Sequence, residues 1–139
     1  MLIMKDAESD TFSITNKTNG SYSIPELPFS RIKKTVLGAE YDLSLVFIQD
    51  GRSATLNEKY RNKEGPTNVL SFDIGDDIGE IYINLDAVSR EYESYADDAK
   101  SFAGYLFIHG MLHLKGYPHG SKMDKQEQRI CEQFEIQTI

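Results

Sequence analysis

All three histidines of this 139-residue chain fall within eleven positions of one stretch, IHGMLHLKGYPHG, at His109, His113 and His119. On a helix, residues four apart lie one above the other, so His109 and His113 can aim at a single point. Gly116 then permits a sharp turn, and His119 can return toward that point. Three neutral imidazoles suit zinc or another first-row divalent ion, with bonds of roughly 2.0–2.1 Å. A structural zinc site usually has four protein donors. Three leave a position for water, which points to hydrolysis. Cys131, the single cysteine, has no motif spacing to the histidines. The competing reading is ordinary helix histidines with hydrogen-bond partners, but two unpaired imidazoles buried in LFIHGMLHL, with a third close behind, would be costly.

The spacing H-x3-H-x2-G-x2-H is also that of the metzincin peptidases, with one difference. Where those enzymes carry a glutamate base, immediately after the first histidine, this chain has Gly110. Glycine cannot take a proton, and no later Met-turn can be placed in the residues that remain. A zincin-like metallopeptidase is therefore an alternative that lacks its base.

The elements that must carry these residues follow from apolar periodicity. TFSIT (11–15) reads as a strand. PELPFSRIKKTVLGAE predicts a helix ending near Gly38, with an apolar face at positions 29, 32, 36 and 37. YDLSLVFIQD is a buried strand, after which Asp50 is expected to cap a helix through GRSATLNEKYR. Strands follow over 68–74 and 80–84, paired antiparallel across the turn cluster GDDIG. Asn84 or Asp86 is expected to cap a short helix, and a longer one over about 97–115 carries His109 and His113. Gly116 is placed to stop it in the left-handed conformation. A last helix is predicted over SKMDKQEQRICEQFEI, with Ser121 as N-cap, Asp124 in the capping-box position and Met123, Ile130 and Phe134 inward, with Cys131 beside them. The expected fold class is α+β, a small mixed four-stranded sheet with about five helices around a zincin-like metal site.

The length suits one domain over residues 1–139. No apolar stretch is long enough to span a bilayer, the first ten residues have no secretory pattern, and a lone cysteine suits a reduced cytoplasm. Net charge is −7, which at face value argues against a nucleic-acid partner. The charge is segregated, however. Residues 31–63 hold seven Lys/Arg against four acids, whereas residues 64–99 hold ten acids and one arginine. A basic face on an acidic protein is thus permitted. The tyrosines could stack bases, although most read as core-edge residues.

Three blocks resemble, in order, the YbeY-type bacterial endoribonucleases: LNEKYRNKEGPTNVLSF (56–72), GEIYIN (79–84) and HGMLHLKGYPH (109–119). The resemblance implies a metal, zinc, at His109, His113 and His119, and a functional arginine at Arg61. It implies single-strand-specific cleavage of RNA in 3′-end maturation of small-subunit ribosomal RNA and in ribosome quality control. The implied partners are single-stranded ribosomal RNA, the small ribosomal subunit and its proteins, with no membrane and no DNA. Arg61 stands between Lys59 and Lys63 in the most basic stretch, where RNA phosphates would be expected. Three positions depart from the family pattern: Pro118, Asn68 and Glu80 stand where the family has aspartates. A third reading is not an enzyme, namely a ribosome-assembly protein whose metal only staples its C-terminal helices.

Overall fold

The computed structural model describes residues 11–137. The expectation about the first ten residues lies outside that range. Strand β1 runs over Phe12–Asn16, helix α1 over Phe29–Leu37, β2 over Asp42–Ile48 and α2 over Asp50–Arg61. Strands β3 (Val69–Gly75) and β4 (Ile78–Asn84) form a hairpin. They are followed by α3 (Leu85–Glu91) with a 3-10 turn over Tyr92–Ser94, then α4 (Ala99–Leu114) and α5 (Ser121–Gln133).

The β-branched and aromatic runs pair in the order β1-β2-β4-β3. β1, β2 and β4 are parallel, and β3 is an antiparallel edge strand. Alternation puts Leu43, Leu45 and Phe47 of β2 on one face, in register with Gly79, Ile81 and Ile83 of β4. That face is buried beneath α1 and α4. α1 contributes Phe29, Ile32 and Val36, one helical stripe. Phe29 meets Phe47 at 5.8 Å and Phe107 of α4 edge-on at 5.2 Å between ring centroids. α4 is apolar nearly all round, with Phe102, Ala103, Leu106, Phe107, Ile108, Met111 and Leu112 buried. It is the central helix, lying between the sheet and the helices beside it. The expected mixed sheet and five helices are therefore present.

Helix ends show where local reading needed correcting. Asp50 does not cap α2: the N-cap position is Gln49, with no side-chain bond. The Asp50 carboxylate instead accepts from Asn84 Nδ2 at 2.8 Å and from both terminal nitrogens of Arg90. Asn84 is the cap of α3, accepting from the N–H groups of Asp86 and Ala87. Ser121 is the first residue of α5 rather than its cap, which is Gly120 at φ 152°. Gly116 does end α4 as expected, at φ 100° with its N–H on the His113 carbonyl. On α5, Met123, Ile130 and Cys131 are buried, Phe134 lies just past the helix end, and Glu127 is buried among them. No helix among the described residues is long and apolar enough to cross a membrane.

Candidate metal centre

α4 reaches the edge of the sheet because Gly110 has no side chain. A Cβ there would lie 2.9 Å from Ser71 Oγ and 3.3 Å from Ile81 Cδ1. The Ser71 hydroxyl donates to the Gly110 carbonyl at 3.1 Å. Position 110 faces β3 and β4 at a distance that leaves no room for a glutamate, so the peptidase's base is excluded by packing as well as by identity.

With the helix seated this way, His109 and His113 stand half-buried at the sheet edge, and the turn at Gly116 brings the exposed His119 back to them. One ring nitrogen from each lies within 4.8 Å of the others, forming a donor set of three histidines. The Nε2 atoms of His109 and His113 are 3.1 Å apart. Two imidazole nitrogens sharing a tetrahedral ion would be about 3.3 Å apart at ordinary bond lengths. The arrangement therefore fits a divalent cation between the rings.

Glu127, which sequence reasoning had passed over, determines how His109 is presented. Its buried carboxylate bonds to His109 Nδ1, and its other oxygen accepts from the Tyr105 hydroxyl at 3.4 Å. A carboxylate on Nδ1 keeps the proton there and turns the Nε2 lone pair toward the centre. Its sequence signal was a carboxylate four residues after Met123 and three before Ile130, inside an apolar stripe. Burial pushes the His113 imidazole below its usual pKa, and the neighbouring His109 and His119 push it the same way. It is therefore neutral at pH 7, the form that ligates.

Arg61, at the last turn of α2, lines one cleft with His109, His113, His119, Thr67, Val69 and Ser71. The cleft measures about 390 Å³. The loop from α2 to β3 is tied down: Ser53 Oγ donates to the Thr67 carbonyl and accepts from its N–H, each at 2.9 Å. Asn57 Nδ2 donates to the Gly65 carbonyl at 2.9 Å, and Asn62 ends α2 in the left-handed conformation at φ 55°. The arginine therefore projects from a fixed base. Among the described residues its guanidinium has no hydrogen bond or ion pair, so its donors are free for a ligand. Lys59 lies 5.3 Å from the Tyr60 ring centroid. Lys59 and Lys63 are exposed but do not line the cleft.

The three departures have distinct outcomes. Pro118 offers no carboxylate, and the carboxylate on the donor set is that of Glu127 from α5, at His109. Asn68 donates to Glu91 Oε1 at 3.1 Å. Glu80 accepts from the Tyr82 hydroxyl at 3.0 Å and stands apart from the cleft.

A three-histidine donor set at the edge of a mixed sheet shares one cleft with an arginine that has no partner among the described residues, which makes a centre suited to a metal. The family model described as endoribonuclease YbeY matches residues 9–137, and the chain belongs to this family of RNA-hydrolysing enzymes. The endoribonuclease YbeY of Pelotomaculum thermopropionicum is 34% identical in an alignment 113 positions long that covers 73% of this chain and 74% of that protein. That of Treponema denticola is 34% identical in an alignment 109 positions long that covers 70% of each chain. The solution structure of a Thermotoga maritima protein shares the fold, with a TM-score of 0.57 at 19% identity over 88% of both chains.

Proposed function

We propose that residues 1–139 form one domain that cleaves single-stranded RNA in the cytoplasm, acting in 3′-end maturation of small-subunit ribosomal RNA and in ribosome quality control. In this reading His109, His113 and His119 hold zinc, and Arg61 is the catalytic residue contributed from α2. The observation that carries it is Arg61, without a partner among the described residues, on the same cleft as the three histidines.

When bound, the ion supplies Lewis acidity toward a phosphoryl oxygen or a water. The chain's own residues do the rest. Glu127 keeps the proton of His109 on Nδ1, and the two remaining imidazoles complete the donor set. The Arg61 fork directs paired N–H donors at the non-bridging phosphate oxygens, where charge grows as the phosphodiester is attacked. Lys59 and Lys63 sit beside Arg61 in sequence and give the incoming polyanion a local positive field on an acidic protein. The small ribosomal subunit and its proteins are the partners that would bring the RNA to this face.

The test is cleavage of an end-labelled single-stranded RNA by zinc-loaded protein, beside His113→Ala and a chelated sample prepared identically. Cleavage by the first sample alone supports the reading. Equal cleavage by all three identifies a contaminant. No cleavage with zinc bound in stoichiometric amount overturns the catalytic reading in favour of a metal-stapled assembly factor.

A further inference from the structure

The cleft has a neighbour. A second, smaller cavity of about 200 Å³ shares Val69 and His109 with it, and is otherwise lined by Asn68, Phe102, Tyr105 and Tyr95, with Leu106 behind them. The shared residues make the two spaces neighbours on either side of Val69 and His109. Their chemistry differs. The first presents imidazoles and a guanidinium, whereas the second presents aromatic rings and a single amide.

Tyr95 is 47% exposed although its ring is stacked on buried Phe102, with centroids 5.1 Å apart and planes within 10°. One face is thus covered, and the exposure falls on the other face and the edge. The Tyr105 hydroxyl is already committed to Glu127, so that residue supplies ring surface only. Asn68 Nδ2 is committed to Glu91, which fixes the amide plane and leaves its carbonyl oxygen as an acceptor. A small aromatic-walled space with one oriented acceptor, beside a phosphate-binding cleft, matches a planar heterocycle attached to a phosphate.

We infer that this cavity is a nucleobase subsite. It receives an unpaired base next to the phosphate held at Arg61, Tyr95 provides the stacking surface, and Asn68 accepts from the base edge. The inference rests on the nuclease reading and deepens it, because an unpaired base enters such a pocket without the cost of breaking a base pair. Single-strand selectivity then comes from this cavity rather than from the metal centre.

The experiment is an NMR chemical-shift titration of the intact protein with each of the four ribonucleoside 5′-monophosphates and with ribose 5-phosphate, which lacks the base. At least one nucleotide is expected to bind about 5- to 100-fold more tightly than ribose 5-phosphate, the range that base–aromatic stacking supplies. Tyr95→Ala should abolish that advantage while leaving ribose 5-phosphate binding unchanged, which also shows the variant to be folded. Tyr95→Phe should keep the advantage, and Asn68→Ala should reorder the preference among the four bases. Equal binding of ribose 5-phosphate and all four nucleotides overturns the subsite, as does an advantage that survives Tyr95→Ala or no binding at all. RNA cleavage by the same preparation separates the two readings. Cleavage without base preference sinks the subsite alone, and base preference without cleavage sinks the nuclease reading alone.

Discussion

The Glu127 carboxylate on α5 bonds to His109 Nδ1 on α4, eighteen residues earlier in the chain. That bond joins the packing of two helices to the electronics of the donor set. It orients the ring, selects its tautomer and makes Nε2 a better donor. Glu127→Ala should weaken zinc binding about 10- to 100-fold, measured by competition with a chromophoric chelator. Glu127→Gln keeps an acceptor without the charge and should restore part of the loss. If both variants melt below wild type yet bind zinc equally tightly, Glu127 serves only the fold.

Arg61 makes no hydrogen bond or ion pair among the described residues, so its removal should separate activity from stability. Arg61→Ala is expected to lower kcat on RNA about 100- to 1000-fold, the usual loss of a transition-state donor, with an unchanged thermal midpoint. Arg61→Lys should recover little, since an ammonium cannot present a paired fork. A full recovery by lysine would reduce the residue to a point charge.

Gly110 is a packing constraint beside the centre. Gly110→Ala should destabilise by about 1–3 kcal/mol through overpacking against Ser71 and Ile81, read from urea midpoints. In a Ser71→Ala background the nearest clash is gone, so the same substitution should cost less. Equal costs in both backgrounds would show that the helix moves away from the sheet instead.

Acid stability tests the polar knot at the ends of β2 and β4. The Asp86 carboxyl is held below its usual range by the Asp50 N–H, with further bonds from the Tyr22 hydroxyl and the Gln49 amide. The Asp50 carboxyl is held low by Arg90 first and then by Asn84. For a carboxyl whose folded pKa is depressed, the stabilisation is present above the unfolded value near 3.9 and is lost as pH falls through the folded value. Asp86→Asn should therefore cost about 1–2 kcal/mol at pH 7. The difference from wild type should close as the pH drops below about 3.9. Urea unfolding at pH 7, 5 and 3 checks this, and a constant difference across the series would rule it out.

Much of this molecule could be read locally. The strands are β-branched or aromatic runs, and the apolar stripe of α1 follows a helical period. His109 and His113 share a helix face because 3.6 residues make a turn, whatever surrounds that helix. The bend at Gly116 needs only a residue free to adopt positive φ. The family blocks in residues 56–119 likewise lie within the one-dimensional pattern. What the pattern left open depended on partners distant in the chain. Asp50 looked like a cap, but Arg90, forty residues away, binds its carboxylate more strongly than the helix N-terminus does. Glu127 drew no reading from its place within an apolar stripe, because its role exists only once α5 packs on α4 and buries it against His109. The same holds for the strand order, for the approach of Gly110 to Ser71 and for the arrival of Arg61 at the histidines. Local dihedral preference and helical period set which residues share a face. Which faces meet is decided by the packing of the whole core, and there the cleft takes its charge and its shape.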